Sequence, residues 1–252
     1  MGIENQGRQY SDFIEIRAFD CDMTKRIAVS PILKYMEEIA DKHCSELGYS
    51  YDVLLNDGVV FLLTSVQIKI HRAPDLREKV KVTTWQRCIK GVQFIRDTEF
   101  LDEQGNILIE ATCGWILADP VNHKIKRPTD YKMGQVVNSQ PERELFGSGR
   151  VKISVSEEKE KVANRTVVFS DVDYNNHLNN TRYADIISDF IPNLGKDVEI
   201  SEIDLVFAGE AYLGEDIEIF RTEIEENIYV INGTHSRGRC FESRVKVKNL
   251  EL

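Results

Sequence analysis

Ala73-Pro-Asp-Leu76-Arg-Glu78-Lys-Val80-Lys-Val82 has a counterpart later in the chain, Glu210-Ala-Tyr-Leu213-Gly-Glu215-Asp-Ile217-Glu-Ile219. Both stretches place a leucine, an acidic residue and alternating apolar positions at equal spacing. Alternation with a period of two marks a strand with one buried face. A second echo lies upstream of each copy, where Asp20-Cys-Asp22 precedes one helical segment and Asp171-Val-Asp173 precedes another. The chain reads as one plan used twice.

Working outward from Ala73, the first half opens on the alternating segment Phe13–Asp20. A helix follows that Ser30 can cap with Pro31 at its first position; its apolar positions Ile32, Leu33, Met36, Ile39, Ala40 and Leu47 form one face, and it ends at Gly48. Strands are expected around Val66–Ile70, Val80–Val82, Val92–Ile95, Ile107–Ile109 and Trp115–Leu117, with a hairpin turn at Asp102–Asn106. The second half repeats the order. Thr166–Phe169 leads into a polar loop and a helix whose face is Tyr183, Ile186, Ile187 and Phe190, stopped by Pro192 and Gly195; strands follow at Ile203–Phe207, Ile217–Ile219, Tyr229–Ile231 and Ser243–Val247. A helix and then antiparallel strands, twice over, predicts an α+β fold in which each sheet wraps its own helix. Periodicity breaks between 133 and 149, at Gly134, Asn138, Ser139, Pro141, Gly147 and Gly149, so the expected domains are 1–140 and 141–252.

Composition narrows the function. With 42% apolar and 29% charged residues in 252, the chain is globular. No apolar run approaches the roughly 18 residues of a membrane span, and Met1–Gly7 lacks the basic and apolar regions of a signal peptide. Five cysteines, odd in number and never spaced as Cys-x-x-Cys, argue against a zinc site or a disulfide scaffold and for free thiols in the cytoplasm. No cofactor or metal is expected. The net charge of −10 argues against nucleic acid as a partner. Residues 1–146 carry 19 basic and 22 acidic side chains and residues 147–252 carry 13 and 20, so an acidic partner would prefer the first half.

The chemistry concentrates in Asp171-Val-Asp173-Tyr-Asn175-Asn176-His177-Leu-Asn179-Asn180-Thr-Arg-Tyr183. Asn179 is placed to cap the second helix, which sets the polar cluster at a helix N-terminus, where free N–H groups and the helix dipole favour developing negative charge. A site that attacks a carbonyl needs that feature. The bland reading of such a loop is a cap and an Asx turn.

The spacing Asp-x-Asn-x-His-x-Asn-Asn-x-x-Tyr resembles the signature of plant and bacterial acyl-acyl carrier protein (acyl-ACP) thioesterases, and the order of elements fits across residues 8–249. The resemblance implies a double hotdog fold and hydrolysis of fatty acyl-ACP to free fatty acid, ending chain elongation. It implies that Asp173, Asn175 and His177 are the polar loop residues and that Glu210 is the carboxylate of a second segment. Plant members carry a cysteine after that glutamate, and here the position is Ala211, so a thiolate mechanism has no nucleophile there. A carboxylate mechanism remains, with Glu210 or Asp173 as base for water, Asn175 orienting water or carbonyl, His177 polarising or carrying a proton, and the helix start at Asn179 and Asn180 as oxyanion site. Asp171 could exchange roles with Asp173.

The equivalent first-half loop, Asp22–Ser30, has neither Asn nor His, and Ala73 stands where Glu210 would be, so one active site per chain is expected. The first half is then expected to supply the acyl pocket, with Met36, Phe61, Leu62 and Trp115 as lining residues or plain core. His43, His71 and His235 have no metal-ligand pattern and read as structural or exposed, and Glu157–Lys161 as a solvated segment. Acyl carrier protein is acidic, so docking points to Lys124, Lys126, Arg127 and Lys132, with Arg87 and Lys90 as further positions. Competing readings are a hotdog acyl-CoA thioesterase and a noncatalytic acyl-thioester sensor. Acyl chain length is open, and so is a homodimer, although paired units in one chain remove the need for one.

Overall fold

The computed structural model describes residues 9–131, 145 and 151–250. In chain order the elements are β1 (Gln9–Glu15), α1 (Val29–Glu46), α2 (Tyr51–Asn56), β2 (Val60–Ile70), β3 (Lys79–Lys90), β4 (Gln93–Leu101), β5 (Ile107–Ala118) and β6 (Ile125–Lys126). Further along the chain come β7 (Glu160–Thr166), a helix we call α3 (Asn180–Asp189), β8 (Val198–Phe207), β9 (Asp216–Glu225), β10 (Ile228–His235) and β11 (Gly238–Asn249).

The strands join in one antiparallel sheet in the order β1-β3-β4-β5-β2-β8-β11-β10-β9-β7, with β6 on β5. The second half runs as the mirror list of the first, so β2 and β8 meet at the centre, pairing Ser65–Lys69 with Val206–Glu202. Alternation then decides which side is buried: Val66 and Ile68 on β2, with Ile203 and Leu205 on β8, turn inward beneath the helices. Against them α1 presents Ile32, Leu33, Met36 and Ile39, and α3 presents Tyr183, Ile186 and Ile187. The two helices touch, so one core runs through both halves. Truncating a residue such as Ile32, fully buried, would cost about 2–5 kcal/mol. The α+β double hotdog architecture is the one expected.

Several local expectations need correction. Helix α1 begins at Val29, with Ala28 as N-cap, because the Ala28 N–H is already fixed to the Asp20 carbonyl (2.9 Å); Ser30 lies inside the first turn, buried. Ile107–Leu117 forms one long strand, not two, and the Asp102–Asn106 turn joins it to β4. β7 lies upstream of the Thr166–Phe169 segment and takes in Glu160 and Lys161 from the charged run. Short α2 and β6 had no periodicity long enough to mark them. The expected join at 133–149 lies outside the described residues apart from Leu145, whose carbonyl accepts from buried Arg87.

Candidate active site

The polar loop is built twice, as the Asp-x-Asp echo implied. Asp171 is buried; it accepts from the Val168 N–H (3.0 Å) and pairs with Arg165 (2.8 Å), just as Asp20 accepts from the Arg17 N–H (2.9 Å) and the Tyr35 hydroxyl (2.7 Å). The first aspartate of each pair therefore holds the chain entering the loop. Neutralised by Arg165 and absent from the wall of the main cavity, Asp171 does not fit an exchange of roles with Asp173. The second aspartate folds the turn: Asp173 Oδ1 accepts from the Asn175 N–H and Asp22 Oδ1 from the Thr24 N–H, both at 2.8 Å. Asn176 and Lys25 share φ of 64°, a left-handed turn position that suits Asn better than Lys.

Asn179 caps α3, its Oδ1 accepting from the Thr181 N–H (2.9 Å), while its own N–H goes to the Asp171 carbonyl (2.9 Å) and Nδ2 to Asp173 Oδ2 (3.2 Å). Its groups are spent on holding the loop. Of the two oxyanion candidates, Asn180 has no bonded backbone N–H among the described residues and also lines the cavity.

Glu210 reaches the loop through backbone register. The Leu178 N–H donates to the Ala211 carbonyl (2.7 Å), as Ile27 donates to Pro74 (2.9 Å), which makes Ala73 the counterpart of Glu210. The Glu210 carbonyl accepts from Arg237 Nη2 (2.6 Å) and faces His235 Nε2 (3.0 Å), and Arg237 in turn pairs with Glu215 (2.8 Å). That guanidinium holds the Glu215 carboxyl down to about 2. Gly209 is needed beside it: a Cβ there would stand 2.7 Å from the Arg239 carbonyl oxygen.

Three side chains surround the Glu210 carboxylate. Tyr212 donates its hydroxyl to Oε2 (2.6 Å), His123 Nδ1 lies 3.1 Å from Oε1, and His177 Nε2 lies 4.0 Å from Oε1. Because His177 Nδ1 sits 3.2 Å from the Leu178 carbonyl, which can only accept, Nδ1 carries the proton and Nε2 faces Glu210. A 4.0 Å gap between two polar atoms suits a bridging water.

The group opens on a cavity of about 920 Å³. Asp173, Asn175, His177, Asn180, Glu210 and Tyr212 line it from the second half, and Tyr51, Leu54, Phe61, Leu62, Phe94 and Trp115 from the first. Met36 is core and does not reach it. Tyr51 meets Tyr174 edge-on at 5.7 Å between ring centres, closing first half against second. Ala211, which the resemblance aligns with a cysteine of the plant enzymes, is buried. Cys240 lies 3.3 Å from the Tyr183 hydroxyl, and burial pushes its thiol up to about 11; Cys113 is raised further by the same cause. Neither is a ready nucleophile. All five cysteines are free, and no group of three or more potential metal ligands clusters among the described residues.

Sequence reading missed His123 and Glu37, both in the first half. His123 sits at φ 54° after the turn that follows β5, and Glu37 is on α1 in the cavity wall. Neither has a sequence neighbour that marks it: the partner of His123, Glu210, lies in the other half, and Glu37 joins the second half only in the cavity wall. His43 is buried with Nδ1 3.0 Å from Arg96, and His71 lies 2.9 Å from Glu110. In the basic cluster Lys124 and Arg127 are exposed, Lys126 lies 3.5 Å from Asp119, and Lys132 lies outside the described residues. Lys90 is exposed, but Arg87 is buried and clamped to Asp97 (2.6 Å), so it offers no surface for docking.

Comparison with known proteins identifies the family. Residues 7–133 match the model of the acyl-ACP thioesterase N-terminal domain, and residues 154–243 that of the C-terminal domain. A palmitoyl-acyl carrier protein thioesterase of Gossypium hirsutum is 23% identical over 206 residues, 75% of this chain and 49% of the relative. The chain spans about half the length of most of the curated plant relatives it matches. The fold superposes on an acyl-ACP thioesterase from Bacteroides thetaiotaomicron with a TM-score of 0.85 at 22% identity, covering 98% of this chain and all of that one. The 12:0-ACP thioesterase of Umbellularia californica gives 0.85 at 15% identity, covering 96% and 98%. With both domain models matched in order over most of its length, this chain belongs to the acyl-ACP thioesterase family.

Proposed function

We propose that this protein hydrolyses fatty acyl-ACP thioesters to free fatty acid and acyl carrier protein in the cytoplasm, ending acyl chain elongation. The carrying observation is the cavity: Glu210, His177 and Asn175 stand in its wall together with apolar side chains of the first half, among them Leu54, Phe61, Leu62, Phe94 and Trp115. An acyl chain laid along Phe61, Leu62 and Trp115 brings its thioester carbonyl to the loop. The labour then divides by domain, with 1–140 holding the chain and 141–252 acting on the carbonyl.

In this reading a water lies between His177 Nε2 and Glu210. Glu210 takes its proton as it attacks, and the negative oxygen is stabilised by Asn175 and the Asn180 N–H at the start of α3; collapse of the intermediate then breaks the C–S bond, and the departing carrier thiolate takes the proton back from Glu210. Asp173 holds Asn175 in place rather than acting as base, since both its oxygens already accept hydrogen bonds from the loop. The carrier docks on Lys124 and Arg127, next in chain to His123, which touches Glu210. Because β2 and β8 pair the two units inside one chain, the reading needs no second copy.

Purified protein should release free fatty acid from acyl-ACP with higher kcat/KM than from the matching acyl-CoA. A preference for acyl-CoA would make it a coenzyme A thioesterase. Binding without turnover of either would make it a sensor.

A further inference from the structure

His123 reaches the candidate base from the first half of the chain. It stands on the turn between β5 and β6, which Asp119 folds: Oδ1 accepts from the Val121 and Asn122 N–H groups (3.0 and 3.2 Å), and the Asp119 carbonyl accepts from the His123 N–H (3.0 Å). Held there at a left-handed φ of 54°, His123 meets Glu210 across the boundary between the halves, with Nδ1 3.1 Å from Oε1. A carboxylate only accepts, so Nδ1 carries the proton of this pair. The same Oε1 faces His177 Nε2 at 4.0 Å, whereas Oε2 takes the Tyr212 hydroxyl (2.6 Å). A carboxylate bonded at both oxygens is fixed in rotation, which leaves a lone pair of Oε1 for the water between Glu210 and His177. The hairpin that supplies this contact is lightly held. Among the described residues β6 is two residues long and pairs only with the end of β5, Ile125 with Ala118 and Lys126 with Leu117. Val121 at its tip is 89% exposed, and Lys124 and Arg127 are exposed beside it. One short element therefore shows positive charge outward and a hydrogen bond to the base inward.

We infer that His123 is a positioning residue that links carrier docking to the base: a carrier seated on Lys124 and Arg127 holds the β5–β6 hairpin in the arrangement in which Nδ1 donates to Glu210. The inference rests on the hydrolase reading and on the docking face within it. A partner favours one arrangement only as far as it binds that arrangement better. Here the acidic carrier supplies the difference through the charges on the same hairpin as His123. The chemical step then runs fastest with a carrier in place, and thioesters of small thiols are turned over by a less well aligned base. Selectivity for the carrier thus enters through kcat as well as through binding.

Hydrolysis of a short synthetic thioester is measured with and without saturating acyl carrier protein that lacks its thiol arm, so that the carrier can dock but is not a substrate. Wild-type kcat should rise about threefold or more on adding the carrier, with KM little changed. His123→Ala and His123→Gln should lose that rise while still binding the carrier in a titration. His123→Asn should keep most of it, because its amide N–H takes the place of Nδ1 and asparagine tolerates the left-handed turn, whereas the amide of glutamine lies where Nε2 was. A wild type that binds the carrier without any change in kcat would overturn the link, and so would His123→Ala stimulated as strongly as the wild type. Absence of carrier binding would remove the docking face and the link with it. The contact itself is read apart from turnover: nitrogen-15 resonances of labelled histidines should show His123 protonated at Nδ1 in the wild type and no longer so in Glu210→Ala. If Nδ1 is bare in the wild type, the contact with Glu210 is wrong whatever the activity. If Nδ1 is protonated and no thioester is hydrolysed, the functional reading falls and takes the positioning role with it.

Discussion

Replacing Glu210 with glutamine takes away a base while leaving its surroundings almost intact. The amide has the size of the carboxylate, and the partners of the carboxylate can adapt: the Tyr212 hydroxyl can accept as well as donate, and His123 Nδ1 can do either by changing tautomer. The backbone is untouched, since the Glu210 carbonyl keeps its bonds from Arg237 and His235. With a quarter of the side chain exposed (26%), the lost ion pairs should cost stability only about 0–1 kcal/mol. Chemistry should suffer far more. Losing general-base assistance slows turnover about 10²–10⁴-fold, or roughly 3–5 kcal/mol of barrier at about 1.4 kcal/mol per decade. The assay is steady-state release of fatty acid from acyl-ACP, run beside thermal unfolding of the same preparation. A Glu210→Gln protein that melts with the wild type and keeps kcat within about threefold would remove Glu210 from the role of base.

Other outcomes follow from the same geometry. His123→Gln should lower kcat about tenfold with KM and melting temperature little changed, because a side chain that only steers the carboxylate is lost; kinetics on a short thioester checks it. Gly209→Ala should lower both stability, by about 1–3 kcal/mol, and activity, because its Cβ meets a backbone oxygen that cannot rotate away; denaturant unfolding and kcat together test this. Charge reversal at Lys124 and Arg127 should reduce kcat/KM for acyl-ACP in a salt-dependent way and leave a small synthetic thioester alone, with equal effects on both substrates counting against docking there. Stability should also depend on pH through Glu37. Its carboxyl is raised from an ordinary 4.5 to about 7, so between those values the folded chain holds a proton that the unfolded chain has lost, and stability falls as pH rises. The full loss approaches about 3 kcal/mol across that window at about 1.36 kcal/mol per unit, and unfolding of wild type beside Glu37→Gln should show it only in the wild type.

What the sequence disclosed was what short-range chemistry controls. Asn179 could be read as a cap because a cap acts within two residues, and it bonds Thr181 as expected. The Asp20/Asp22 and Asp171/Asp173 echo was visible because both turns need the same Asx geometry. Glu210 was marked by its resemblance to the family's carboxylate, and the repeat aligned Ala73 with it, an equivalence the backbone register bears out. Arg87 misled because a lone arginine on a strand ordinarily faces solvent; only the fold reveals that it pairs with Asp97 and donates to the Leu145 carbonyl. Glu37 and His123 stayed hidden for a related reason. Each looks like an unremarkable surface residue until the other half of the chain is laid against it.

The junction of β2 with β8 has a further consequence. In a homodimer every substitution appears twice, so a residue useful at one symmetry-related place must be tolerated at the other. Joining two units in one polypeptide frees each place to change by itself. Ala73 and Glu210 occupy equivalent positions, as do Arg26 and His177, yet each pair has diverged completely. One half can then differ at these positions without changing the other, and its helix and strands can reshape the cavity while Glu210 and His177 stay in place. On the proposed reading, substitutions at Phe61, Leu62 or Trp115 would alter which acyl chains are accepted without touching the residues around Glu210.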